Sequence, residues 1–310
     1  MKAFLAVAIF LLATPPFFGA DRTIVPLFES TESKSNRGKI DQAVFARLRQ
    51  LNIKAANVCS ESVFIRRIYL DVIGTLPTPL EARRYLLDTR KNKRQLLIDE
   101  LLERPEFADY WAMKWGDLLR IKAEFPINLW PNAVQAYYRW VRTSILENKP
   151  YDQFVREIII GSGSNFRVPE VNFYRSLQSK EPVAMAQAVA LTFMGARAEK
   201  WPEERLENMA VFFSQLGFKR TAEWKEEIVY FDSEKAVSGV SAAIFPDGTT
   251  AELAVDTDPR EVFADWLITK QNPWFARNIV NRVWFWLMGR GIVHEPDAIR
   301  DDNSAANPTL

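Results

Sequence analysis

The chain has 310 residues, 48% of them hydrophobic and 13% aromatic, with 10 Trp and 21 Phe, so it holds ample material for a sizeable core and is not an intrinsically disordered chain. Forty Lys plus Arg stand against 39 Asp plus Glu, leaving a net charge of +1; this disfavours a nucleic-acid partner, which calls for a basic face. Cys59 is the only cysteine, so no internal disulfide can form.

The N-terminus, MKAFLAVAIFLLATPPFFGADR, places one Lys before an apolar run from Ala3 to Ala13, then Pro15, Pro16 and the small residues Gly19 and Ala20. This is the layout of a secretory signal peptide over residues 1–20, cleaved after Ala20, and it predicts export to the periplasm or the exterior. Membrane contact is expected only if that segment stays uncleaved, because the run falls short of the roughly 20 apolar residues a bilayer crossing needs. Residues 21–39 are rich in Ser, Thr and charge and read as a flexible tether.

Helical periodicity then dominates. Val44, Phe45, Leu48 and Leu51 recur at helical spacing after Asp41. ESVFIRRIYLDVIG turns Val63, Ile65, Ile68, Tyr69, Val72 and Ile73 inward and Arg66 and Arg67 outward, and stops at Gly74. Thr78 caps a helix from Pro79 to Leu87, another covers Lys91 to Glu103, and Pro105 opens a long one through Glu124 with Phe107, Trp111, Trp115 and Leu118 on one stripe. Further helices are predicted at 131–146, 151–160, 181–195 and 202–216. The segment from Glu181 to Arg197 is apolar on nearly every face, which marks it as the central helix of the core. From Glu227 the texture changes to the short β-prone runs IVYF, AAIF and TAELAV, with a hairpin turn at Asp247-Gly248. Helices from Asp258 to Leu267 and from Pro273 to Met288 follow, then a polar tail ending on Asn307-Pro308, a pair that more often precedes a helix. The fold class expected is mainly α, a multi-helix orthogonal bundle with a small antiparallel β patch near residues 227–256. The expected units are a helical domain over 40–226, a β-rich linker over 227–257 and the first part of a companion domain over 258–310.

Three stretches, FIRRIYLDVIGTLPTPLEARRYL, KRQLLIDELLERPEFADYWAMKWGDLLR and NKPYDQFVREIIIGSGSNF, resemble the second domain of the planctomycete cytochrome-like exported proteins, a domain of unknown function. The run from Asp258 to Leu310 is similar to the start of its usual companion, also of unknown function. The resemblance implies that many relatives carry a Cys-x-x-Cys-His haem-attachment segment after the central helix. Here residues 195–203 read GARAEKWPE, with neither thiol nor imidazole, so no covalent haem and no cofactor is expected.

Motif by motif, the bland readings prevail. Gly161-Ser162-Gly163-Ser164 lacks the Gly-Lys-Ser/Thr ending of a phosphate loop. Gly239 to Ala243 departs from the nucleophile elbow at its last glycine. His294, Glu295, Asp297, Asp301, Asp302 and Asn303 crowd possible ligands together, yet without metal-loop spacing they read as a solvated tail and not as a metal site. Most tryptophans sit at helical spacing and read as core, while Trp130 and Trp201, each followed by Pro, are the candidates for an exposed sugar-stacking platform. Arg67, Asp71, Asp117 and Arg120, embedded in apolar helices, and Asn165 and Arg167 in the following loop form a candidate polar cluster, either a structural ion-pair network or a ligand site. In the structural version Arg167 and Asn165 bond back to the helices carrying Asp71 and Asp117. The functional expectation is an exported, non-haem binding or scaffold module whose partner is an extracellular polymer or another protein. The alternative is a carboxylate-based hydrolase of such polymers using Asp71 or Asp117.

Overall fold

The computed structural model describes residues 28–30, 38–235, 242–254, 256–300 and 302–310. The expected signal segment, most of the tether and Gly239 to Ser241 of the elbow-like run lie outside the described residues. Within them, twelve α-helices and two small antiparallel sheets make the protein mainly α with a minor β component, as its periodicity predicts.

The first helices α1 (Lys39–Gln50), α2 (Glu61–Ile73), α3 (Pro79–Leu87) and α4 (Lys93–Leu102) follow their sequence signals closely. Gly74 ends α2 at φ 70°, a left-handed position that glycine adopts without penalty. A capping box opens α3: the Glu81 N–H donates to Thr78 Oγ1 and the Thr78 N–H donates to the Glu81 carboxylate. The apolar stripes of α2 to α4 close on one another, burying Ile65, Tyr69, Val72, Tyr85, Leu97 and Leu101 in a small core of their own. Helix α5 (Pro105–Leu118) joins this unit to the main core, with Phe107 packed on the first and Trp115 buried in the second. The Trp111 indole N–H, 3.0 Å from the Val72 carbonyl, fixes α5 on α2.

The main core is built by α6 (Trp130–Leu146), α7 (Tyr151–Ile160), α8 (Asn172–Arg175), α9 (Pro182–Val189), α10 (Glu203–Ala210), α11 (Pro259–Ile268) and α12 (Phe275–Met288). As its composition predicts, α9 is central: Met185, Ala186, Ala188 and Val189 are buried, and so are Ala190, Phe193 and Met194 of the π turn that extends it. Its one exposed residue is Val183 in the first turn. Gly195 closes the element at φ 62°, and the Ala196 N–H returns to the Ala190 carbonyl at 3.1 Å, so the widened last turn keeps its carbonyl satisfied. Phe263 of α11 lies with its ring centre 5.4 Å from those of Phe212 and Phe213, so residues beyond 258 share the core of the residues before 217.

Three expectations are corrected. The helix opened by Pro105 ends at Leu118 instead of running to Glu124, and Arg120 just beyond it is left-handed at φ 58°. The helix expected through Leu216 ends at Ala210, continues as a 3-10 turn over Val211–Phe213, and gives way to β2 (Leu216–Arg220). That strand pairs with β3 (Glu227–Phe231), which also takes up β1 (Gly163–Ser164), in the order β1-β3-β2. The run IVYF thus pairs backward and not with the next β-prone run. A Cβ at Gly217 would lie 2.5 Å from the Tyr230 ring, so glycine there lets β2 approach. Strands β4 (Ala242–Ile244) and β5 (Thr250–Glu252) form the separate hairpin that Asp247-Gly248 predicts, with Gly248 at φ 89°.

The third correction concerns the tail, expected to be solvated. Val293, Ala298 and Ile299 are buried, and the chain is tied down by polar side chains on α12. Asn281 accepts from the Val293 N–H at 2.9 Å and donates to its carbonyl at 3.1 Å, Arg282 pairs with Asp297, and the Ile299 N–H donates to the Gly195 carbonyl at 2.9 Å. Alternating polar and apolar residues hid this docking, because each anchor is isolated in sequence and finds its partner in another element.

Candidate functional site

The structure scatters the six residues of the expected polar cluster. Arg67 and Asp71 face outward on α2 as a surface pair 4.0 Å apart, and Asp117 is exposed on α5. Arg120 is turned inward by its left-handed backbone; its Nη1 has no partner among the described residues, and burial lowers its pKa. No carboxylate network joins them. Asn165 is fully buried but serves the sheet: its Oδ1 accepts from the Glu227 N–H at 2.9 Å, its own N–H donates to the Glu227 carbonyl at 3.1 Å, and Asn172 Nδ2 donates to its carbonyl at 2.7 Å. Arg167 is exposed and bonds back to neither α2 nor α5.

The loop is therefore held by an amide and not by an ion pair, and the two side chains should separate cleanly on mutation. Asn165→Ala is expected to cost about 1–3 kcal/mol, since it leaves the Glu227 N–H buried without an acceptor. Arg167→Ala should stay within about 0.5 kcal/mol of the parent. Urea unfolding curves that coincide for the two variants would refute this assignment.

Of the two tryptophans singled out for exposure, Trp201 is half-buried, with the Arg205 guanidinium 4.4 Å over its ring. Trp130 is 41% exposed, and it stands in a cleft. One wall is the turn into α6 with that helix's first residue, carrying Asn128 and Trp130; the other is the six-residue connection between β2 and β3, carrying Trp224, which is 74% exposed. The two indoles meet edge to face, 6.1 Å apart at 77°. The Lys225 ammonium lies 4.6 Å over the first ring and 5.0 Å over the second, a cation–π contact with both. The cleft encloses about 470 Å³, within the range of small-ligand sites.

Two of its three carboxylates, Glu226 and Glu227, are consumed by the protein, while Glu223 is exposed at the rim. Glu227 accepts from Arg175 at 2.8 Å and from Lys180 at 2.8 Å; burial would raise its pKa, but these two cations outweigh that and lower it. Glu226 accepts from the Ser164 and Thr221 hydroxyls, which lower its pKa. Asn128, Trp130 and Lys225 all have left-handed backbones, at φ 55°, 68° and 62°. Non-glycine residues adopt that region rarely, and such strain clusters at functional sites. Sequence reasoning missed Trp224. Its signal is an indole amid the charges of TAEWKEE, where neither helical nor strand periodicity gives it a core to enter.

The other two candidate regions are closed. Gly161 to Ser164 leads into strand β1, and among the described residues no three acidic, His or Cys side chains converge on a metal site. After the central helix, Ala196 and Ala198 are buried beneath the tail, and a Cβ on Gly195 would sit 2.6 Å from Asn278 Oδ1 and 2.9 Å from the Pro296 carbonyl. The segment from Gly195 to Glu203 offers no thiol for a thioether bond and no imidazole for the iron. These residues do not fit covalent haem.

Residues 39–216 match the family model PSCyt2, described as a protein of unknown function (DUF1549), and residues 259–310 match PSD1, described as a protein of unknown function (DUF1553). No curated protein and no solved structure matches the chain significantly.

Proposed function

The chain belongs to the PSCyt2 family, a family of unknown function, and on that footing we propose that it is an exported, non-haem binding module that holds an extracellular polymer in the Trp130–Trp224 cleft. The observation that carries this reading is Trp224: an indole 74% exposed at a strand connection, paired with a second exposed indole and bracketed by a lysine. Leaving such a ring in water costs hydrophobic free energy that a stacked ligand recovers. Neither Asp71 nor Asp117, the carboxylates a hydrolase would have used, lines the cleft.

The test is retention on insoluble and soluble polysaccharides, compared between the parent and Trp224→Ala. Truncating a tryptophan at the centre of a contact costs about 2 kcal/mol or more, roughly thirtyfold in Kd. The parent is expected to be retained on at least one polysaccharide and the variant released. Equal retention of both, or retention of neither on any polymer, defeats the proposal. Because the ring is 74% exposed, the thermal melting curve of the variant should match the parent's.

A further inference from the structure

Resting on that reading, we infer that the cleft selects an anionic glycan, a pyranose chain carrying carboxylate or sulfate groups, with a sugar face on Trp224 and the negative group on Arg220 and Lys225. The reason lies in which hydrogen-bonding groups remain free. A neutral sugar presents hydroxyls that both donate and accept, so a site for it needs carboxylates or amide oxygens available to receive its protons. Here the two buried carboxylates at the floor are already occupied, Glu227 by Arg175 and Lys180, Glu226 by Ser164 and Thr221. Beside the Asn128 amide and the Glu223 carboxylate, what the rim offers is donors. Arg220, the last residue of β2, is exposed at the mouth with a guanidinium that makes no hydrogen bond or ion pair among the described residues. The Lys225 ammonium stands at the junction of the two indoles, held there by cation–π contact with both before any ligand arrives.

A donor fork and a point charge beside an aromatic face match an anionic oxygen cluster on a flat ring. The guanidinium fork suits carboxylate and sulfate alike. Nucleic acid has the same two ingredients, but the rings argue against it. They stand at 77° to each other and form no parallel slot for a base, and the chain carries a net charge of only +1. One group opposes the assignment: Glu223 projects its carboxylate at the rim, exposed. That opposition is itself diagnostic, since removing its charge should favour an anion and leave a neutral sugar unaffected.

The experiment is a tryptophan-fluorescence titration of the whole chain with four probes: trigalacturonate, a sulfated carrageenan tetrasaccharide, neutral cellotetraose and a dT10 oligonucleotide. Expected is saturable quenching with at least one anionic sugar. Its Kd should rise at least about tenfold from 50 to 500 mM NaCl, and at least about tenfold in Arg220→Ala. Glu223→Gln should tighten it by about twofold to fivefold. The first two probes separate carboxylate from sulfate as the recognised group. Cellotetraose binding as tightly as the charged sugars, lost in Trp224→Ala and indifferent to Arg220→Ala, overturns the anionic assignment and leaves the binding module standing. Tighter binding of dT10 than of every sugar overturns it in favour of nucleic acid. Absence of quenching by all four overturns it as well, and the polysaccharide retention assay then decides the broader reading separately.

Discussion

Arg260→Ala is expected to destabilise the protein by about 3–5 kcal/mol, the range found when one member of a buried ion pair is removed. Arg260 is 1% exposed at the first turn of α11, and its guanidinium reaches Asp258 Oδ2 at 2.6 Å, the Ile159 and Gly161 carbonyls at 3.2 and 2.9 Å, and Ser162 Oγ at 2.9 Å. The carbonyls belong to the last turn of α7 and the residue after it, where no further helical N–H is available. One side chain therefore caps α7 and neutralises Asp258, the residue whose carboxylate also accepts from the Arg260 N–H to start α11. Removing it takes the side-chain donor from the Gly161 carbonyl, leaves the Ile159 carbonyl with the Tyr174 hydroxyl at 2.7 Å alone, and strips a nearly buried carboxylate of its counter-charge. Desolvation on its own would lower the Arg260 pKa, yet Tyr174 and Asp258 outweigh it and raise it, so the charge is present at all working pH values. Arg260→Lys should recover less than half of the loss, because an ammonium on a flexible stem cannot span the fork. Chemical denaturation of the three proteins measures this; a parent-like midpoint for Arg260→Ala would show that the α7–α11 junction is held by apolar contacts alone.

That arginine was illegible in the sequence, where Asp258-Pro259 signals only the start of a helix. Local signals were legible because they act within a few residues. The Thr78-x-x-Glu81 box, the left-handed Gly74 and Gly195, the proline starts of α3 and α5 and the Asp247-Gly248 turn each stand where short-range sterics put them. The all-round apolar surface of α9 announced its central place for the same reason. What stayed hidden was every arrangement made by a partner distant in sequence. Leu216 to Arg220 has glycine at its second position and charge at its end, and becomes a strand only because β3 supplies the ladder and Tyr230 fills the space over Gly217. The same limit explains the polar cluster. Arg67, Asp71 and Asp117 looked embedded in apolar helices, but a helix face about 100° wide leaves room for charge between apolar positions, and these three use it. The cleft was half legible: proline after Trp130 marked it as a surface residue, while Trp224 needed the strand connection to be known first.

Gly195→Ala is expected to cost about 2–4 kcal/mol and to release the tail from the central helix. Two effects add. At φ 62° any residue with a Cβ is strained, which costs about 1 kcal/mol. The added methyl would also meet Asn278 Oδ1 at 2.6 Å, the Pro296 carbonyl at 2.9 Å and Ile299 Cδ1 at 3.0 Å, and overpacking of this kind costs about 1–3 kcal/mol. The Asn278 amide is tied at its other end, where Nδ2 donates to the Thr192 carbonyl at 2.9 Å, and the Pro296 contact is backbone, so relief requires a shift of the tail segment as a whole and not the rotation of one side chain. The tail is the element free to move, and with it goes the bond from the Ile299 N–H to the Gly195 carbonyl. Gly289 provides the internal control. It is left-handed too, at φ 73°, but a Cβ there meets nothing within 4 Å, so Gly289→Ala carries the strain without the clash. Hydrogen exchange separates the two contributions: the Ile299 amide should lose protection in Gly195→Ala and keep it in Gly289→Ala. Equal stability loss in both variants, with Ile299 protected in each, would mean that the tail yields without detaching and that its hold on the central helix rests instead on Asn281 and Arg282 of α12.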